Sequence, residues 1–164
     1  MTCIIRDELA GDETAIGRVI DAAFREQPHS NGSEPQIVAE LRAAGELALS
    51  LVALEKAIVG HAAFSRVAVD GGFSGWFGLG PVAVDPACQR RGIGHSLIRK
   101  GLDRLRELGA AGCVVLGDPV YYARFGFVAD PALAYPGPPA MYFQSMILAG
   151  PPARGIVRYS RAFG

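Results

Sequence analysis

Gly80-Pro-Val-Ala-Val-Asp-Pro-Ala-Cys-Gln-Arg-Arg-Gly-Ile-Gly94 is the stretch on which the fold turns. A short apolar run breaks at Asp85-Pro86 and restarts through two closely spaced glycines as an amphipathic segment, which predicts strand, turn and helix in succession. The first turn of such a helix leaves backbone N–H groups unpaired and carries the positive end of the helix dipole, so the junction suits a phosphate. Gly92 and Gly94 have no Cβ to hold that phosphate away. A bare Gly-x-Gly says little, and its weight here comes from the flanking elements and from Arg90 and Arg91 beside it. The run Gly92-Ile-Gly94-His-Ser lacks the third glycine of a dinucleotide fingerprint, and no Gly-Lys-Ser/Thr follows as in a P-loop.

Downstream, Ile93, Leu97, Ile98, Leu102, Leu105 and Leu108 recur at three and four, which predicts a long helix that Gly109 ends. Gly112-Cys-Val-Val-Leu-Gly117 then reads as a buried strand, parallel to the one before the helix. Asp118-Pro119 opens a short helix through Phe125, Asp130 to Ala140 reads as loop, and Tyr142 to Leu148 and Ile156 to Tyr159 as closing strands. Upstream, Cys3 to Arg6 suits a first strand and Asp12 to Phe24 a helix with Ile16, Val19, Ile20 and Ala23 on one face. Ser33-Glu-Pro-Gln36 has the form of a capping box for a helix from Glu34 to Ala44. Leu49 to Leu54 and Ala57 to Val69, separated by Glu55-Lys56, predict a β-hairpin; Trp76 to Val84 follows as the fourth strand.

At 164 residues, half apolar and a fifth charged, the chain suits one domain over residues 1 to 164, with 149 to 164 an extension or closing strand. The formal net charge is zero and no basic block stands out, which argues against a nucleic-acid partner. Cys3, Cys88 and Cys113 lack Cys-x-x-Cys spacing, so neither a disulfide scaffold nor a zinc site is expected. Arg6, Asp7 and Glu8 interrupt any early hydrophobic segment and no run nears the ~18 apolar residues of a membrane span. A cytoplasmic protein with no membrane partner is the expectation.

Two motifs together resemble the GCN5-related N-acetyltransferase (GNAT) superfamily. Gln89-Arg-Arg-Gly92-Ile-Gly94 matches the family's acyl-CoA signature Gln/Arg-x-x-Gly-x-Gly/Ala, and Tyr121-Tyr122-Ala-Arg-Phe-Gly126-Phe127 matches its later aromatic signature. The compact Gly117-Asp118-Pro119 turn, with Val115 where many members carry Asn, is similar to a bacterial branch of acetyltransferases. The resemblance implies an α/β fold, with a mixed sheet of about six to seven strands flanked by helices and a splayed fourth and fifth strand pair. It also implies acetyl-CoA as cosubstrate, and direct transfer of its acetyl group to a primary amine in a ternary complex. A non-catalytic acyl-CoA-binding protein on the same fold is the alternative.

Carried onto this sequence, the resemblance puts the pyrophosphate on the backbone of Arg90, Arg91, Gly92, Ile93 and Gly94, next to Gln89, with His95 and Ser96 at the edge. Arg90 and Arg91 add side-chain contacts or remain solvated. Val82, Ala83 and Val84 offer the backbone along which the pantetheine arm pairs, or are ordinary core. Tyr122 is the residue expected to protonate or orient the leaving sulfur, whereas Tyr121, Phe125 and Phe127 read as packing. Glu34 and His61 are the candidate bases, each with a structural alternative, and Cys88 is rejected as a nucleophile for want of a paired His and carboxylate. The acceptor cleft is expected among Phe24, His29, Glu34 and Tyr135, which favours a small amine while leaving a peptide amine open. The apolar run from Ile156 to Phe163 suggests a homodimer strand or a strand of the chain's own sheet.

Overall fold

The computed structural model describes residues 3–164. A six-stranded sheet runs in the order β1-β2-β3-β5-β6-β8, formed by Ile4–Asp7, Leu47–Leu54, Ile58–Arg66, Trp76–Val84, Gly112–Leu116 and Phe143–Ile147. All its neighbours are antiparallel except β5 and β6, the pair joined through helix α3, Ile93–Glu107. Helices α1, Glu13–Phe24, and α2, Glu34–Ala43, cover one face. Helix α3 and the short α4, Pro119–Ala123, cover the other. This is the mixed, helix-flanked sheet that the motifs imply. Among the described residues no helix is long and apolar enough to cross a membrane.

Alternation along β3 explains how one sheet serves two cores. Gly60, Ala62 and Phe64 face α3, where Leu97, Ile98, Leu102 and Leu105 are fully buried, while Ala63 faces Ile16, Ile20 and Val38 of α1 and α2. Helix α3 approaches β3 closely at Gly101, where any Cβ would overlap the Phe64 ring.

Three expectations need correction. The strand read through Val69 breaks after Arg66, and Ala68–Val69 departs as β4 into a second sheet of order β4-β9-β7, with β9 at Gly155–Arg158 and β7 at Leu133–Ala134. The stretch read as loop from Asp130 to Ala140 therefore contains a strand, because β9 pairs it at Leu133↔Gly155 and Ala134↔Ile156. Strand β9 is paired on both sides within its own chain, which is the second of the two readings given for the Ile156–Phe163 run. The capping box at α2 does not form. Ser33 has helical φ and ψ of −86° and −7°, its N–H is taken by Asn31 Oδ1 at 3.0 Å, and the Gln36 amide donates onward to Glu40 at 3.0 Å.

Gly101→Ala is expected to destabilise the protein although alanine is the better helix former. The helical gain is about 1 kcal/mol, while forcing a methyl against a fully buried ring costs about 1–3 kcal/mol or more. Urea denaturation of the two proteins measures the balance.

Candidate active site

The ladder between β5 and β6 runs from Trp76↔Gly112 to Leu79↔Val115 and stops. Immediately beyond lie Gly80, whose φ of +141° suits only glycine, and Pro81, which has no N–H to donate. On its other side β5 spends three steps, Leu79 to Val82, where β3 spends two, Phe64 to Ala62. That bulge bends β5 away from β6. The Asp85 N–H donates to the Val59 carbonyl at 2.8 Å, so antiparallel alternation turns Ala83 toward β3 and the N–H and C=O groups of Val82 and Val84 toward the gap. Ala83 is thereby tied into the sheet and buried beneath α1.

After the gap the chain reaches the N-terminus of α3. Gln89 acts as a clamp: its Nε2 donates to the Val84 carbonyl at 3.0 Å and ties the turn to the strand. Arg90 and Gly92 both have left-handed φ values, +64° and +81°, with Arg91 between them at negative φ. This alternation converges successive N–H groups on one point. Ser96 donates to the Gly92 carbonyl at 3.0 Å and closes the first helical turn, while the N–H groups of Arg90 to His95 meet no backbone acceptor among the described residues. A Cβ on Gly92 would meet nothing within 4 Å; one on Gly94 would sit 3.6 Å from both the Tyr121 hydroxyl and Val84 Cγ2. The loop is therefore an open cradle with strand β5 and α4 as its walls. Of the two arginines expected here, Arg90 lines the cleft, whereas the Arg91 guanidinium forks onto Glu55 at 3.2 and 2.5 Å.

Tyr122 enters from the opposite wall. The Asp118 carboxylate accepts the Val120 N–H at 2.9 Å and starts α4, which brings Tyr121 and Tyr122 to the cleft. The Tyr122 ring folds against Gly117, where a Cβ would lie 2.6 Å from its Cε2, and stands edge-on to Tyr121 and Phe127. Burial pushes the Tyr122 phenol up to about 12, and the hydroxyl makes no hydrogen bond with another described residue. It is a protonated donor without a partner.

Cradle, gap and Tyr122 share one cleft of about 1190 Å³ that continues between α1, α2, Tyr135, Tyr159 and Phe163. That volume exceeds the ~300–1,000 Å³ of a pocket for one small ligand. Phe24, His29, Glu34 and Tyr135 all line it, and the Glu34 carboxylate accepts a hydrogen bond from Ser30 at 2.6 Å. Tyr159 and Phe163 escaped the sequence reading, because their place depends on β9 pairing with β4 and β7, a long-range arrangement with no local signal.

Three comparisons bear on this cleft. Residues 16–127 match the family described as Acetyltransferase (GNAT) family. The chain belongs to the GNAT acetyltransferase family. The YhbS protein of Escherichia coli strain K12, named as an uncharacterized N-acetyltransferase, is 44% identical over 126 residues, 76% of this chain and 72% of its own length. Among solved structures, a Brucella melitensis GNAT family acetyltransferase in complex with acetyl-CoA is 47% identical, with a TM-score of 0.89 over 99% of both chains. Escherichia coli YhbS in complex with CoA is 36% identical, with a TM-score of 0.85 over 98% of this chain and 91% of that one.

His61 does not reach the cleft of this GNAT protein. It is fully buried beneath α1 and α2, and its Nε2 lies 2.8 Å from Ser50 Oγ. Ser50 donates its single proton to Glu8 at 2.6 Å, so the His61 Nε2–H must donate to Ser50 and Nδ1 is left bare. Arg42 closes the network with a bidentate pair to Glu8 at 2.8 and 2.9 Å. Burial raises the Glu8 pKa, but the bonds from Arg42 and Ser50 outweigh it and hold the carboxylate low. Burial also lowers His61 to about 4. The histidine is a joint between β2, β3 and α2.

Because the unfolded chain binds a proton at His61 below about pH 6.5 and the folded chain does so only near pH 4, stability is lost as pH falls between those values. The loss from this residue is at most about 1.4 kcal/mol per pH unit. Urea denaturation at pH 8, 6 and 5 is expected to show a shallower decline in His61→Gln than in the parent protein.

Proposed function

We propose that this chain transfers the acetyl group of acetyl-CoA directly to the primary amine of a small, partly apolar acceptor, with both substrates held in the one cleft. The observation that carries this reading is the convergence of three features: an open anion cradle at α3, unpaired strand backbone at Val82 and Val84, and an unpartnered phenol at Tyr122. The residues present fit the group. The cradle suits a pyrophosphate and has no Cβ in its mouth; the gap-facing groups of Val82 and Val84 suit an amide-bearing arm, less the Val84 carbonyl already held by Gln89. The complexes of the two similar proteins with acetyl-CoA and CoA support the same assignment.

Acetyl-CoA supplies an activated acetyl thioester. The cradle and β5 fix it so that the thioester carbonyl faces the acceptor end, and Glu34 holds the ammonium of the acceptor there. Glu34 or the adjacent His29, directly or through water, takes the proton that frees the amine lone pair; His61 is too deeply buried to do so. The nitrogen bonds to the carbonyl carbon, the carbon–sulfur bond breaks, and Tyr122 gives the departing sulfur its proton. A phenol raised to about 12 stays protonated at neutral pH, and the burial that raises it also makes a thiolate beside it more basic. Direct transfer gains from holding both reactants in register and requires no covalent enzyme intermediate.

Calorimetric titration with acetyl-CoA and CoA tests the cofactor; absence of binding tighter than about 1 mM overturns the reading. Acetyl-CoA binding without thiol release across small amines, amino acids, antibiotics and peptides overturns turnover and leaves the binding protein. Tyr122→Phe is expected to lower kcat by roughly 10²-fold or more with little change in acetyl-CoA affinity. Tyr121→Phe should be far milder, because its hydroxyl faces Gly94 and the cradle. Equal small losses in both variants would remove Tyr122 from the proton path. Glu34→Gln should raise the acceptor KM about tenfold, read in steady-state kinetics, while acetyl-CoA titrates as before.

A further inference from the structure

Two arginines line the cleft without a carboxylate partner. Arg90 and Arg124 are both exposed there, and neither makes an ion pair among the described residues. Their neighbours are engaged. Arg91 is forked onto Glu55, and the Arg99 guanidinium lies 5.2 Å from the Phe125 ring centroid while its Nη2 donates to the Arg124 carbonyl at 3.0 Å. Arg90 belongs to the cradle loop itself, whereas Arg124 is the C-cap of α4 on the facing wall. With a formal net charge of zero the protein has no general field to draw an anion in, so the charge that meets one is local.

Arg124 is held in a defined pose. Its Nε donates to the Tyr121 carbonyl at 2.9 Å, and its guanidinium carbon lies 4.5 Å from the Tyr121 ring centroid. The bond and the stack orient the fork and leave its two terminal amino groups with no acceptor among the described residues. A free, pre-organised fork of this kind suits the oxygens of a phosphate, which accept its N–H groups in parallel. Tyr121 also sets how far that fork stands from the cradle. The ring that carries the guanidinium has its hydroxyl 3.6 Å from the Cβ position of Gly94, so one phenol ring separates the backbone donors from a second, charged donor set. Asp118, the carboxylate on this wall, caps the opposite end of α4.

Acetyl-CoA carries phosphate in two places, the pyrophosphate and a 3′-phosphate, with a single ribose between them. A phosphate monoester holds about 1.5–2 negative charges near neutral pH, and the cradle amides serve only one of the two groups. We propose that Arg124 binds the 3′-phosphate of acetyl-CoA, and that it makes the protein select CoA over dephospho-CoA. The inference rests on the acetyl-CoA reading given above. The cradle takes the pyrophosphate through backbone N–H groups, and the guanidinium takes the phosphate one sugar away. Arg124 touches the cofactor far from the thioester and has no part in the proton path.

The test is calorimetric titration of CoA and dephospho-CoA into the full chain and its Arg124→Gln variant, with the Tm of each protein measured alongside. The parent protein should bind CoA about tenfold more tightly than dephospho-CoA. In Arg124→Gln the CoA affinity should fall by about that factor while dephospho-CoA binds as it does to the parent, so the ratio approaches one. Arg124→Lys should recover only part of the ratio, because an ammonium keeps the charge without the planar fork. Equal affinities in the parent overturn the proposal, as does an Arg124→Gln variant that changes neither ligand. So does a variant that weakens both ligands alike, which would put the guanidinium on the pyrophosphate, or assign it to the structure of α4 where the Tm falls as well. Failure of the parent protein to bind either ligand sinks the acetyl-CoA reading itself, whereas every other outcome leaves that reading in place.

Discussion

Two adjacent parallel strands cannot stay hydrogen-bonded when one gains a residue and loses a donor. That constraint organises the molecule. The extra residue at Gly80-Pro81 ends the β5–β6 ladder at Leu79 and Val115, leaving backbone groups of Val82 and Val84 without a strand to pair with. In most sheets such an opening would be filled by side chains or sealed by a neighbouring strand. Here Gly92 and Gly94 keep one side of it clear, and Gly117 lets Tyr122 fold against the other. The opening joins the two faces of the sheet into one cleft.

Rigidity around that opening comes from polar ties as much as from packing. Gln89 ties the strand to the loop, Arg91 ties the loop to the β2–β3 turn through Glu55, and Gln144 donates to the Gly117 carbonyl at 3.0 Å beside α4. On the opposite face the Arg42–Glu8–Ser50–His61 network pins α2 to β2 and β3, with each charge compensated at short range. Glu34 begins the same α2, so the network also sets where that carboxylate stands. Residues buried far from the chemistry in this way hold the groups that face it.

The half of the cleft we assign to the cofactor was legible in the sequence because its parts lie within one local stretch. Strand, cradle, helix, strand and Tyr-Tyr turn follow one another from Trp76 to Phe127, and each announces itself by periodicity, glycine or a capping aspartate. What stayed hidden is non-local. The bulge depends on register against β3; the Arg91–Glu55 pair and the burial of His61 depend on which face meets which helix. The return half of the capping box failed because Asn31 takes the Ser33 N–H that Gln36 would need, a competition between near neighbours that the motif alone does not reveal. Tyr159 was invisible for the same reason as β7: both are placed by β9, a strand whose partners lie 20 and more residues away.

The pairing of β9 between β4 and β7 carries a consequence for how the chain is made. Translation delivers the segment from Trp76 to Phe127 before Gly155–Arg158 has been polymerised, and nascent structure forms as it emerges. The half of the cleft we assign to the cofactor is therefore complete in the chain while the far wall is still missing. The two halves are also separable in heredity. Substitutions near Tyr135, Tyr159 and Phe163 leave the cradle sequence untouched, so the two ends of the cleft can vary independently.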